Sequence, residues 1–133
     1  MLRPPKAPGA QWPLMGRIAI FDDGIQRAAV VCLDLLALMP STVAELRQAM
    51  AAGTDCEPTA IMITCTHTHR GPYTVPVMDE GANFQYLDLL RERLAAGMVR
   101  ALAARRPARL RVGRVQAPGW TFNRRPVYRT DIG

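Results

Sequence analysis

Residues 28–33 form an unbroken apolar segment that narrows the choice of fold class. The segment reads Ala-Ala-Val-Val-Cys-Leu and lacks the alternation of polar and apolar residues that a half-exposed strand has. Because successive side chains of a strand point to opposite faces of the sheet, such a strand needs apolar cover on both faces. Helices packed against a sheet provide that cover, so the segment predicts an α/β fold.

Two neighbouring segments complete the predicted sheet. Residues 17–21 form a short apolar strand, and Asp22-Asp23-Gly24 is a turn that joins this strand to residues 28–33 as a hairpin. Residues 60–66 are β-branched and nearly uncharged, which is typical of a buried third strand. We therefore expect a mixed sheet with helices packed on it over residues 16–133, after an irregular lead-in over residues 1–15 that contains four prolines.

The first predicted helix lies between the second and third strands. Ser41 or Thr42 can cap its start, and Glu45 follows Thr42 at the spacing of a capping box. The helix then runs to about Ala52, where Gly53 stops it.

A longer helix is predicted from about Asn83 to Arg105. Five apolar residues recur on one face at helical spacing, which indicates core packing: Leu87, Leu90, Leu94, Met98 and Leu102. After this helix, residues 109–115 alternate between charged and apolar, which predicts a half-exposed strand.

The net charge of +6 raises the question of nucleic-acid binding. Lys6 is the only lysine, and the arginines are scattered over several elements, with the densest group between Arg105 and Arg114. The sequence has no basic stripe interleaved with aromatic residues of the kind that stacks bases. We therefore expect no nucleic-acid partner.

Cysteine usage and hydropathy bear on the compartment. Cys32, Cys56 and Cys65 form no CxxC pattern and cannot all pair, so we expect buried free thiols in a reducing compartment. No apolar run approaches the roughly 20 residues of a transmembrane helix. Residues 1–6 lead into Pro, Gly and Gln instead of an apolar stretch, so no signal peptide is predicted and the cytoplasm is the default location.

The turn after the third predicted strand holds both histidines of the chain, His67 and His69. Residues i and i+2 at the end of a strand point to the same side, so the two imidazoles can converge on one metal or one substrate group. In the structural alternative, one ring bonds a backbone carbonyl and the other is solvated. A catalytic zinc takes about three protein ligands and a water. Asp34, Asp79 and Glu80 are nearby carboxylates, and their spacing does not single out a third ligand.

Residues 61–72, Ile-Met-Ile-Thr-Cys-Thr-His-Thr-His-Arg-Gly-Pro, resemble a strand and turn of the neutral/alkaline (non-lysosomal) ceramidase family, whose turn reads Thr-His-Thr-His-Ser-Gly-Pro. The strand that ends at Asp34 and the helix after Tyr86, with residues 107–110 beyond it, are similar to elements of the same family. Residues 122–125, Phe-Asn-Arg-Arg, resemble its Asn-Arg segment. The resemblance covers residues 17–125 and is specific to the family's N-terminal catalytic region.

The resemblance implies roles for three residues. His67 is expected to bind zinc, and His69 is expected to lie beside the metal and stabilise the attacked amide. Arg124 is expected to reach the same site as a hydrogen-bonding cation. The family hydrolyses the N-acyl bond of ceramide, so a ceramide-like lipid amide is the expected substrate and zinc the expected cofactor.

The chain departs from the family pattern in two ways. Arg70 stands where the family commonly has a small residue such as Ser, which puts a bulky cation at the lip of the site. The family's remaining zinc ligands, another His, a Glu and a Tyr, lie downstream of the Asn-Arg segment, and this chain ends at Gly133 before any of them.

These departures lead to the expectation of a partial domain of a larger catalytic fold that is inactive alone. Its expected partners are then the missing C-terminal part of the enzyme or a second copy of the chain. Relatives of this family are often exported, which leaves the location open. The alternative function is a non-catalytic α/β binding or structural module that retains the fold without the chemistry.

Overall fold

The computed structural model describes residues 13–77 and 81–120. The predicted α/β class, a mixed sheet with helices packed on it, is confirmed. In chain order the elements are β1 (Gly16–Asp22), β2 (Arg27–Leu33), α1 (Pro40–Ala51), a single 3-10 turn (Pro58–Ala60), β3 (Ile61–Cys65) and α2 (Phe84–Ala103).

The sheet has the strand order β1-β2-β3. β1 and β2 are antiparallel, with Gly16 opposite Leu33, and form the predicted hairpin. At its turn Gly24 has φ +88°, and the Asp22 carboxylate accepts a hydrogen bond from the Gly24 backbone N–H at 2.8 Å. β2 and β3 are parallel, with Leu33 opposite Cys65. The carboxyl ends of β2 and β3 therefore lie at the same edge of the sheet.

The core lies on one face of the sheet, against both helices. Alternate residues of β2 are fully buried there, and they pack against Leu46 and Met50 of α1 and Leu94 and Met98 of α2. The arrangement follows from the parallel pairing, because α1 must cross over the sheet to bring β3 beside β2.

The opposite face of the sheet is not covered by any helix among the described residues. Val30 and Cys32 of β2 are half-buried there, while Phe21 is 47% exposed and Met62 is 51% exposed. The expectation that β2 is covered on both faces thus holds for one face within residues 13–77 and 81–120. The β2 residues of the uncovered face are apolar, as residues 28–33 require, and Arg17 and Thr64 lie beside Cys32 on the same face. Both covering helices lie on the other side.

The start of α1 differs from the prediction. The helix begins at Pro40, with Met39 at the N-cap and no side-chain hydrogen bond to the cap, so neither Ser41 nor Thr42 caps it. Proline is favoured in the first helical turn because its fixed φ suits a helix and its missing N–H is not needed there. The helix ends as predicted before Gly53, which has φ +75°.

α2 agrees with its predicted bounds to within two residues. The Asn83 side chain accepts a hydrogen bond from the Tyr86 backbone N–H and caps the helix. Leu94 and Met98 of the predicted apolar stripe are fully buried, Leu90 packs against the core, and Leu87 and Leu102 are half-buried.

The strand predicted over residues 109–115 does not form. This segment has no strand or helix, and Leu110, Val112 and Val115 are largely exposed. The alternation of its sequence suits a strand, but a strand forms only where a neighbour pairs with its backbone and covers one face. Within the described part of the chain no neighbour does so.

The three cysteines are free thiols. Cys56 is buried, and burial raises the pKa of its thiol. Cys32 and Cys65 are half-buried instead of fully buried, because Cys32 lies on the uncovered face of the sheet and Cys65 lies in the last position of β3. Among the described residues, no helix is long and apolar enough to cross a bilayer.

The core predicts a contrast between two leucines of α2. Replacing the fully buried Leu94 by Ala leaves a cavity against the sheet, and we expect the free energy of unfolding to fall by about 2–5 kcal/mol. The same change at half-buried Leu87 should cost less than half as much. Urea denaturation of both variants measures the difference, and equal losses would contradict the assignment of Leu94 to the core.

Candidate functional site

Residues 66–74, here called the histidine turn, follow β3, and residues 34–37 are the segment after β2. The two are hydrogen-bonded to each other at the carboxyl edge of the parallel strands. This is the edge at which open α/β sheets bind their ligands. Three hydrogen bonds join the two segments: Thr66 N–H to Leu33 O at 2.9 Å, His67 Nδ1 to Leu36 O at 2.9 Å, and Thr74 Oγ1 to Ala37 O at 2.6 Å. Thr74 is fully buried, so its bond to Ala37 closes the far end of the turn inside the protein.

His67 has a constrained backbone and a constrained ring. Its φ is +62°, in the left-handed region that residues other than glycine rarely adopt. The ring nitrogen Nδ1 lies 2.9 Å from the Leu36 carbonyl oxygen. Because a carbonyl oxygen can only accept a hydrogen bond, Nδ1 carries the proton and donates it. In the neutral ring Nε2 then has a free lone pair, which is the arrangement found in metal-binding histidines.

His69 lies beside His67. The ring centroids are 5.1 Å apart and the ring planes meet at 87°, and both residues are exposed to solvent. The sequence predicted this proximity from the alternation of side chains along a strand. The structural cause is different, since β3 ends at Cys65 and the left-handed conformation of His67 shapes the turn.

Asp34, one of the three candidate carboxylates, is engaged elsewhere. Its Oδ2 accepts a hydrogen bond from the Met15 backbone N–H at 3.0 Å, and its Oδ1 lies 3.5 Å from Arg17 Nη1. Asp34 therefore ties the start of β1 to the end of β2. Within residues 13–77 and 81–120, no group of three or more His, Cys, Asp and Glu side chains is placed to share one metal ion.

Three residues named by the sequence lie outside the described residues: Asp79, Glu80 and Arg124. Of the predicted site residues, the structure therefore brings together His67 and His69. Arg70, which follows them, is exposed, and its backbone N–H donates to Thr68 Oγ1 at 3.3 Å.

Sequence reasoning missed the two groups that hold the turn in place. The Leu36 carbonyl leaves no sequence signal, since every residue carries one. The sequence contained only a weak indication of the role of Thr74. A threonine this close to the histidines needs a hydrogen-bond partner if its hydroxyl is buried, but the sequence does not show that it is buried.

Comparison of the chain with protein-family models, with curated proteins and with solved structures finds no match in any of the three.

The left-handed conformation of His67 predicts an unusual order of stabilities. Ala and Gly both remove the ring and its bond to Leu36, but only Gly adopts positive φ without strain. We expect His67→Gly to be more stable than His67→Ala by about 1 kcal/mol. Urea denaturation tests this order, and an Ala variant as stable as the Gly variant would show that the turn relaxes.

Proposed function

We propose that this chain is part of a zinc-dependent amidohydrolase that cleaves the N-acyl bond of a lipid amide, ceramide or a related molecule. One observation carries the proposal. Two exposed imidazoles have ring centroids 5.1 Å apart, and Nδ1 of His67 is hydrogen-bonded to a backbone carbonyl. The resemblance of residues 61–72 to the turn of neutral ceramidases supports the same function.

The donor set suits zinc in chemistry, because imidazole nitrogen is a common zinc ligand. The 5.1 Å between the ring centroids and the edge-to-face angle are also those of an ordinary aromatic pair. The support for zinc therefore comes from the exposed nitrogen donors and not from the ring spacing.

In the proposed site His67 holds the metal through Nε2. The Leu36 carbonyl fixes the tautomer and the orientation of the ring, as outer-shell partners of metal-binding histidines do. His69, in its neutral form, donates a hydrogen bond to the oxygen of the attacked amide as negative charge develops there. Arg124 contributes a fixed positive charge by resemblance. Zinc, when bound, supplies a water that ionises near neutral pH.

Two imidazoles bind a metal weakly, since catalytic zinc sites use about three protein ligands. In the ceramidase family the other ligands are a His, a Glu and a Tyr from a downstream part of the protein. We accordingly propose that the present chain supplies His67 and His69 to a larger site and is inactive by itself.

The alternative is a non-catalytic module, and the His67–Leu36 bond favours it as well. A ring that bonds a carbonyl of the neighbouring segment stabilises the turn without any metal. The two functions differ in what contacts Nε2 of His67.

Zinc titration followed by NMR of the imidazole nitrogens tests the proposal directly. The chain has two histidines, so a tag-free protein gives two ring patterns that His67→Ala and His69→Ala assign. We expect zinc to shift Nε2 of His67 while its Nδ1 stays protonated, and His67→Ala to abolish the zinc effect on His69.

One control variant and one contradicting outcome complete the zinc experiment. Cys56→Ser removes a buried thiol away from the turn and should leave the imidazole shifts unchanged. If excess zinc leaves both rings unperturbed, the zinc proposal fails and the structural module remains.

Arg70 predicts a second effect on the same titration. A guanidinium next to the histidines repels a divalent cation, so Arg70→Ser, the residue common in the family, should raise zinc affinity about threefold at low ionic strength. Arg111→Ser removes the same charge from an exposed segment after α2 and serves as the matched control. Equal effects of the two variants would mean that only net charge matters.

A further inference from the structure

The charge of the chain is divided unevenly along its length. Residues 1–92 contain ten acidic residues and seven Lys and Arg residues, whereas residues 93–120 contain seven arginines and no acidic residue. The positive charge of the protein is therefore concentrated after the middle of α2. A charge asymmetry of this kind is typical of a chain that binds an anionic surface.

Residues 105–120, which we call the basic segment, carry five of these arginines. Residues 105–117 form no helix or strand, and every residue of the basic segment is exposed. The side chain of Arg105 contacts the carboxylate of Asp22, and its Nε donates to Leu102 O at 2.9 Å. Arg105 thus attaches the start of the segment to the β1–β2 hairpin. The other four arginines follow it along the exposed chain: Arg106, Arg109, Arg111 and Arg114.

Exposed apolar side chains alternate with the arginines of the basic segment. Leu110 is 75% exposed, Val112 is 90%, Val115 is 88% and Trp120 is 85% exposed. Single exposed apolar residues are normal on a protein surface, but several in one stretch of chain mark a surface that binds a partner. Because burial of apolar side chains away from water is favourable, the pattern indicates a partner that offers an apolar layer as well as negative charge.

An anionic lipid bilayer offers both. Its phosphate groups accept bidentate hydrogen bonds from arginine, and the boundary between headgroups and acyl chains takes up aliphatic side chains and the ring of tryptophan. A nucleic acid also offers phosphates, but it would leave Leu110, Val112 and Val115 in water, since bases stack on aromatic side chains and guanidinium planes. The aliphatic residues between the arginines therefore favour the bilayer.

We propose that the basic segment binds the surface of an anionic phospholipid bilayer, with its arginines on the lipid phosphates and its apolar side chains inserted between the headgroups. The contact between Arg105 and Asp22 couples the segment to the folded part of the chain. The proposed contact lies at the level of the headgroups, and it rests neither on zinc nor on the histidines.

Co-sedimentation of the full chain with lipid vesicles tests the proposal. Vesicles of phosphatidylcholine with about one-third phosphatidylglycerol are the anionic membrane, and vesicles of phosphatidylcholine alone are the neutral one. We expect about tenfold tighter binding to the anionic vesicles at low ionic strength, and loss of that difference at about 0.5 M salt, because salt screens the attraction. Equal binding to both kinds of vesicle, or binding to neither, would overturn the proposal.

Two matched double variants separate the basic segment from the net charge. Arg111→Gln with Arg114→Gln should reduce affinity for the anionic vesicles about 25-fold, since each arginine near such a surface contributes about fivefold. These residues lie outside the helices and strands, so the fold should be retained. Arg70→Gln with Arg91→Gln removes the same charge from exposed positions elsewhere and should cost about twofold. Equal losses would contradict the proposal.

The apolar residues have a test of their own. Leu110→Ser should weaken binding to the anionic vesicles about fivefold, whereas Phe84→Ser, at a position of equal 75% exposure on α2, should have no effect. Trp12→Phe leaves Trp120 as the only tryptophan, and its emission should shift to shorter wavelength on the vesicles. Unchanged affinity of Leu110→Ser or an unshifted emission would each overturn the proposal, because no apolar side chain would then enter the bilayer.

Duplex DNA of unrelated sequence tests the competing partner. With DNA and anionic vesicles at equal concentrations of phosphate, we expect most of the chain to sediment with the vesicles. Leu110→Ser should shift the distribution toward DNA, because it removes an apolar contact that only the bilayer offers. If most of the unaltered chain stays with the DNA, the membrane proposal fails in favour of a nucleic-acid partner.

Discussion

The parallel pairing of β2 and β3 is the contact on which the rest of the structure depends. It places Leu33 opposite Cys65, so that both strands end at one edge of the sheet. The Leu33 carbonyl then accepts the Thr66 N–H, which begins the contact between the two segments that leave the strands. Parallel pairing also requires a crossover helix, and α1, packed with α2, buries the alternate residues of β2. The parallel pairing therefore determines both where the core forms and where the histidine turn lies.

The sequence was sufficient for the elements whose signal is local. The apolar runs at residues 17–21, 28–33 and 60–66 identified three strands, and the leucine spacing identified α2 together with Asn83 at its start. The predicted start of α1 was wrong. A hydroxyl residue at capping spacing and a proline in the first turn are competing signals for a helix start, and in the structure the helix begins at the proline. The strand predicted over residues 109–115 was wrong. Alternation of charged and apolar residues is a property of a single segment, whereas strand pairing depends on a neighbouring segment that the local sequence does not reveal.

The candidate site divides in the same way. Two histidines separated by one residue, in a turn that contains Gly and Pro, were visible in the sequence. Their ring centroids lie 5.1 Å apart in the structure. The contact that orients His67 was not visible, because it comes from a main-chain carbonyl 31 residues earlier. The positive φ of His67 was also not visible, because a histidine in a sequence does not by itself signal a left-handed conformation. Strain of this kind persists only where surrounding bonds fix it, and such positions are concentrated at functional sites.

The segment after β2 contacts both the hydrophobic core and the histidine turn. Leu35 belongs to the core cluster, and the Leu36 carbonyl accepts the hydrogen bond of His67. Leu35 is fully buried, and Asp34 is held to Met15 in both directions, by backbone and by side chain. The segment therefore has little freedom to move, and the Leu36 carbonyl is a fixed reference for the ring of His67. A ring bonded through Nδ1 to so constrained a carbonyl keeps Nε2 pointing in one direction.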